Sequence, residues 1–336
     1  MLKFDVEKFM QDGKATYQLR DTIEKVVNKV FEVDFENVIL TGVGGTIFEM
    51  KSVKDILKKY SDIDVKLVNA AEGLIKKPKN INDKTIVVTG SKSGDTIETV
   101  NFASWCKSVG ARVISFTGEN DNPLANASTY TVVSDIPGME NTYLKLYLFA
   151  TYLLYKVGSF PEYERFADQM YYLHDNLARW RKEYNPIAKS IADRYALVPY
   201  QMWIGSGVVW GEIELFTTCI LEEMQWMKTR AVHSADFFHG PLELVDDSFP
   251  IYLVKGEDEF RELDNRVERF LKKLNLNNVV VIDTKDFILE NIDEEFRYIL
   301  SPIIFNNITR GRLCYQFEAI TNHDLDSRRY YRQFEY

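Results

Sequence analysis

Cysteine is scarce in this chain. Cys106, Cys219 and Cys314 are the three present in 336 residues. Their odd number and wide separation argue against a disulfide framework and offer no paired spacing for structural zinc. Histidine is nearly as rare, with His174, His233, His239 and His323. These four form no close ligand cluster with the cysteines or acids, so neither a metal nor a cofactor is expected. Long apolar runs are also missing. The most apolar stretch, 143–157, is interrupted by Lys145 and Lys156 and is too short for a bilayer span. Met1-Leu2-Lys3-Phe4-Asp5 mixes charges too early for a signal peptide. A cytoplasmic protein with no membrane partner is expected. Positive charge is in deficit, with 41 Lys and Arg against 50 Asp and Glu and a net charge of -9. That balance argues against a nucleic-acid partner, while leaving room for a local anion pocket.

Hydrophobic residues make up 46% of the chain, enough for a sizeable core in two modest domains or one doubled domain. Short apolar runs alternate with helical spacing. Residues 37–42, 65–68, 85–89, 113–116 and 130–133 read as strands, and 17–33, 46–60 and 97–109 as helices. The middle, 141–196, reads as helical with interruptions at 158–161 and at Pro186. The rhythm then restarts, with strands at 202–205, 250–254 and 278–282 and helices at 208–227, 257–274 and 294–320. Strands separated by helices predict α/β architecture with mainly parallel sheets in a three-layer α/β/α arrangement. The expected organisation is a first domain at 15–160, a helical connection at 161–195, a second domain at 196–322 and a tail at 323–336.

Four features carry candidate chemistry. Ser91-Lys92-Ser93-Gly94-Asp95-Thr96 puts three hydroxyls and a glycine between a strand and a helix start. Free amides and the helix dipole favour an anion there, and simple capping accounts for one hydroxyl rather than three. The Gly-Lys-Ser/Thr ending of a nucleotide P-loop is absent. Gly42-Val43-Gly44-Gly45-Thr46 also follows a strand. Ile47 stands where a dinucleotide fingerprint needs glycine, so that match fails, and the segment could equally line the same anion pocket at the carboxyl ends of the strands. Glu222-Glu223 lies late in an apolar helix. Such a carboxylate is either a solvated helix-end acid or a partly buried proton-transfer base. His239 lies at the turn Asp236-Phe237-Phe238-His239-Gly240-Pro241, either bridging the turn or moving protons.

Together these residues resemble the sugar isomerase (SIS) domain family, as two tandem copies. Ser91–Thr96 matches its Ser-x-Ser-Gly-(Glu/Asp)-Thr phosphate loop. Phe238-His239-Gly240-Pro241 is similar to the Lys/Arg-His-Gly-Pro segment in the isomerase half of glucosamine-6-phosphate synthases, with Phe238 replacing the basic residue. The resemblance implies that Gly44, Gly45, Thr46, Ser91, Lys92, Ser93 and Thr96 bind sugar and phosphate. It implies Glu223 as the enolisation base and His239 as the ring-opening residue, with Asp236 in place of a nearby structural glutamate. It further implies a homodimer in which His239 enters the neighbouring subunit's site. Two departures stand out. The chain opens without the nucleophilic cysteine of the synthases, so ammonia from glutamine is not expected. No lysine follows Lys285, and Gln333 falls near the position of the synthase's Schiff-base lysine.

The tail instead resembles that of fructosamine-6-phosphate deglycases, in Asn322-His323-Asp324, Asp326-Ser327-Arg328-Arg329-Tyr330-Tyr331 and Glu335-Tyr336. Their substrate carries its own amine, which removes the need for a lysine. The resemblance therefore implies hydrolysis of a phosphorylated fructosamine to glucose 6-phosphate and an amino acid. His323, Arg328 and Arg329 are implied as tail or substrate contacts. Two other readings stay open: an aldose–ketose isomerase or deaminase of amino-sugar phosphates, and a non-catalytic sugar-phosphate-binding regulator.

Overall fold

The computed structural model describes residues 1–335. The chain divides into two compact units, one comprising Met10–Tyr171 and the other combining Met1–Phe9 with the chain from Tyr172 on.

Helix α1 (Val6–Tyr17) leads to α2 (Arg20–Val30), which buries Ile23, Val26, Val27 and Val30 at helical spacing. Strands and helices then alternate: β1 (Asn37–Gly42), α3 (Gly45–Tyr60), β2 (Asp64–Asn69), α4 (Ala70–Lys76), β3 (Thr85–Ser91), α5 (Ile97–Ser108), β4 (Arg112–Thr117), α6 (Pro123–Ala127) and β5 (Tyr130–Val133). Helices α7 (Met139–Lys156) and α8 (Tyr163–Gln169) follow. All neighbouring strands pair in parallel, in the order β2-β1-β3-β4-β5. Strands β1 and β4 are buried along their whole length, which is why they read as continuous apolar runs rather than alternating ones.

The second unit repeats the plan. Helix α9 (Leu173–Tyr195) precedes β6 (Tyr200–Gly205), α10 (Trp210–Leu215), a π-helical turn at Phe216–Glu222, β7 (Lys228–His233), β8 (Ile251–Lys255), α11 (Arg261–Leu274) and β9 (Val279–Asp283). Helix α12 (Arg297–Ile308), a second π-turn at Thr309–Leu313 and α13 (Cys314–Thr321) complete it. The sheet is again parallel, in the order β7-β6-β8-β9. Trp203 of β6 stacks on Tyr252 of β8 with centroids 3.8 Å apart, and both rings are fully buried.

Three expectations need correction. Pro186 does not interrupt α9, which runs through it. The proline costs the Lys182 carbonyl its helical partner, but both residues are exposed, so water can satisfy that oxygen. The helix expected over 208–227 ends near Glu222 in the π-turn, and the chain then turns into β7. The helix expected from 257 begins at Arg261, because the Asp258 carboxylate accepts the Phe260 amide and holds 257–260 as a turn.

Candidate active site

Both sheets share one topological feature. The chain leaves the first strand for one neighbour, then returns to the other side for the next. The crevice at the carboxyl ends of the two central strands is where open parallel sheets bind ligands. In the first unit it lies between β1 and β3, and in the second between β6 and β8.

The two candidate sugar-phosphate loops flank the first crevice. Gly42–Thr46 follows β1 and Ser91–Thr96 follows β3. The Thr46 hydroxyl donates to the Gly90 carbonyl at 3.3 Å, tying one loop to the base of the other. Gly44, the N-cap of α3, has a φ of 54°. Within the second loop, Ser91 Oγ accepts from the Gly94 amide at 3.1 Å and lies 3.0 Å from Thr96 Oγ1. Ser93 Oγ donates to Asp95. Gly94 has a φ of 69°, and a Cβ there would fall 2.1 Å from Asn122 Cγ. Only glycine fits both the backbone and the space. Thr96 is the N-cap of α5 and makes no side-chain bond to the helix. The turn therefore presents hydroxyls beside helix amides that no cap side chain occupies, the arrangement that favours an anion. Lys92 is exposed, and its carbonyl accepts the Gly118 amide at 3.0 Å.

Near this loop stands a group that the sequence reading did not single out. Lys145 of α7 is 6% exposed, and burial lowers its pKa, with Glu49 of α3 opposing and Lys92 reinforcing that effect. Among the described residues it has no ion pair within 4 Å or hydrogen bond. The visible signal was a lysine inside an apolar helical run.

In the second unit the equivalent crevice is filled by the chain itself. Asp258 accepts the Val208 amide at 2.6 Å and the Phe260 amide at 2.8 Å. Gly207 has a φ of 62°, and a Cβ there would meet Asp258 Oδ2 at 2.2 Å. An internal carboxylate thus takes the amides that a bound anion would use. Beneath it, Asp264 is 1% exposed and accepts from Ser206 at 2.7 Å and Ser234 at 2.6 Å. Burial pushes its pKa up to about 7, opposed by the two serine hydrogen bonds and aided by Asp258.

Glu223 lies elsewhere in this unit, just past the π-turn, a helix irregularity that often accompanies functional residues. It is half-buried and borders a cavity of about 570 Å³. Glu222, Trp226, Lys228, Thr229 and the tail residues Arg328, Arg329, Tyr330 and Tyr331 complete most of its lining. Arg328 Nε donates to Glu223 Oε1 at 3.1 Å, while its Nη1 donates to the carbonyls of Leu325 and Ser327. Glu222 accepts from Thr229 at 2.7 Å. Arg329 lies over the Trp226 ring, 4.1 Å from its centroid, and the His323 ring approaches the same indole at 4.2 Å. Trp226 also missed selection in the sequence. Its φ of 56° is uncommon outside glycine, and such backbone clusters at functional sites.

The structure brings Glu223, Arg328 and Arg329 to one cavity, with His323 behind Trp226. It does not bring His239 there. That side chain is exposed at its turn, where the backbone amide donates to the Asp236 carbonyl at 2.9 Å, and it is not part of the cavity lining. Among the described residues no group of three or more potential metal ligands occurs, and no helix is long and apolar enough to cross a membrane.

Parallel sheets with a hydroxyl-rich loop at a strand-order reversal define the class, and the comparisons agree with it. Residues 36–156 match the SIS domain family, and the chain is related to SIS-domain phosphosugar isomerases and deglycases. Within that class it is related to fructosamine deglycase FrlB of Bacillus subtilis, with 26% identity covering 96% of this chain and 100% of that protein. Fructoselysine 6-phosphate deglycase of Escherichia coli is 22% identical, covering 97% of this chain and 98% of the relative. A Bacillus subtilis crystal structure described as a phosphosugar isomerase superposes with a TM-score of 0.87 at 26% identity, covering 96% of this chain and 99% of that one.

Proposed function

We propose that this protein is a fructosamine-6-phosphate deglycase, converting a ketoamine such as fructoselysine 6-phosphate and water to glucose 6-phosphate and a free amino acid. One observation carries the reading: a carboxylate, Glu223, borders a cavity lined in part by a tail that bears arginines and no lysine. A carboxylate can move a proton, and a fructosamine brings its own amine, so a tail without a lysine suits that substrate. The likeness to two deglycases along nearly the whole chain supports the same reading.

In this mechanism the hydroxyls of Ser91, Ser93 and Thr96, beside Lys92 and the Gly44-Gly45-Thr46 wall, hold the 6-phosphate. His239 assists ring opening, in its own or a partner subunit's site of a homodimer. Glu223 takes a proton from C1, generating the enolamine, and returns it to C2. The product is an aldose imine. Water adds to C1, and the C1–N bond breaks as nitrogen leaves with a proton, giving the aldehyde and the free amine. Anchoring the phosphate is a use of remote binding energy for the chemistry at C1 and C2.

The test is release of glucose 6-phosphate from fructoselysine 6-phosphate, followed through a coupled dehydrogenase. Fructose 6-phosphate with ammonia and glucosamine 6-phosphate serve as comparisons. Turnover of the fructosamine above both comparisons supports the reading. No release from any phosphorylated fructosamine overturns it.

A further inference from the structure

The cavity beside Glu223 contains charges of both signs, and most are already engaged. Glu222 is tied to Thr229, and Glu223 to Arg328. Arg328 also gives its Nη1 to the carbonyls of Leu325 and Ser327. Arg329 differs. It lines the same cavity, yet among the described residues its guanidinium makes no ion pair or hydrogen bond. It is placed by the Trp226 ring, which is itself fixed by a left-handed backbone and by contact with His323. A guanidinium held over an indole keeps its N–H fork available, and that fork matches a carboxylate in two parallel hydrogen bonds. Lys228 is the other unengaged cation of the lining; both are exposed, and no ring positions Lys228.

We propose that Arg329, held by Trp226, reads the carboxylate of the amino-acid portion of the substrate, so that this pocket selects fructosamines derived from amino acids over those derived from simple amines. The inference rests on the deglycase reading and deepens it. A cavity of about 570 Å³ has room for an amino-acid arm beside the reacting carbons. Glu223 meets C1 and its nitrogen at one wall, and Arg329 meets the anionic end at another. The substrate phosphate is the competing anion for Arg329, and it is common to both probes below.

The experiment compares two 6-phosphorylated fructosamines, one made from lysine and one from 1,5-diaminopentane, its carboxylate-free counterpart. The parent protein is expected to favour the lysine adduct in kcat/KM by about 10- to 100-fold, the worth of a charge-assisted hydrogen bond pair. Arg329→Gln should bring that ratio close to one, chiefly through the KM of the lysine adduct, and Arg329→Lys should restore part of it. An unchanged ratio in Arg329→Gln, or no preference in the parent, overturns the proposal. Because both substrates are measured on each variant, a general loss of folded protein cancels. Absence of turnover with both adducts refutes the deglycase reading separately. Calorimetric binding of the two compounds then decides the arginine's role by the same ratio.

Discussion

Arg328 donates from Nε to Oε1 of Glu223 at 3.1 Å, so a residue of the C-terminal tail holds the carboxylate at the end of the π-turn. Among the described residues Oε2 accepts no hydrogen bond, and that oxygen is the one open to a substrate proton. Glu223→Gln preserves the size and the acceptor at Oε1 but removes the base. Turnover is expected to fall by about 10²- to 10⁴-fold, the range for loss of a general base. Binding of glucitol 6-phosphate, measured by calorimetry, should stay within about twofold of the parent, below ~0.5 kcal/mol. Comparable loss of binding would assign Glu223 a structural role instead.

The phosphate loop makes a different prediction, because its geometry depends on one glycine. Gly94→Ala adds a Cβ 2.1 Å from Asn122 Cγ at a φ that disfavours side chains. The strain is expected to cost roughly 1–3 kcal/mol and to shift the loop. Affinity for inorganic phosphate and for sugar phosphates should drop together, while neutral sugars are unaffected. Ser91→Ala removes the side-chain acceptor of the Gly94 amide but leaves the Ser91 carbonyl, and should weaken phosphate binding less severely. A Gly94→Ala protein with parental phosphate affinity would contradict an anchoring role for this turn.

Asp264 sets a pH dependence of stability. Its carboxyl is buried under two serine hydroxyls, and burial raises its pKa from 3.8 to about 7. Below pH ~4 it is protonated in both the folded and the unfolded chain. Between about 4 and 7 the unfolded chain loses this proton while the folded chain keeps it, so stability falls as pH rises. Above pH ~7 the full penalty applies, on the order of 4 kcal/mol. The substitution Asp264→Asn puts a neutral amide in place of the protonated acid, and the amide oxygen can still accept from both serines. Urea unfolding at pH 5 and pH 8 should therefore show a smaller pH effect for Asp264→Asn than for the parent. Equal pH effects in the two proteins would remove Asp264 as the cause.

The sheets are legible in the sequence where strands are covered on both faces. Val38–Leu40 and Val113–Phe116 stand out as compact apolar runs beside helical segments. Strand β7 is not legible, because Lys228-Thr229-Arg230-Ala231-Val232-His233 lies at a sheet edge, where exposed positions interrupt the apolar signal. The phosphate loop is legible because its chemistry is local: three hydroxyls and a glycine in one turn. The Glu223 cavity is only half legible. Its carboxylate follows from the resemblance, whereas its wall depends on the tail returning from far along the chain, as in the bond from Gln225 to the carbonyl of His323, 98 residues away. Asp258 is hidden for the same reason. Nothing local announces that it closes the crevice around Gly207, 50 residues from the Val208 amide that it accepts.

His239 poses the remaining test of the site. It is exposed at the turn before Pro241 and stands outside the lining of the Glu223 cavity, so the proposed role in ring opening divides into action within its own subunit and action across the proposed homodimer. Complementation separates the two cases. Glu223→Gln and His239→Ala are each expected to be inactive alone. If His239 acts across the dimer, a mixed dimer contains one site with both parental residues and one with neither. Random reassortment makes half of the dimers mixed, so unfolding and refolding the two variants together should recover about a quarter of parental activity. If His239 serves the Glu223 of its own chain, every site in the mixture lacks one residue, and no recovery occurs. Recovery must also require subunit exchange, so mixing without refolding provides the control. A failure of refolded mixtures to exceed either variant, with dimers present by light scattering, would place His239 in its own subunit's chemistry or outside the chemistry altogether.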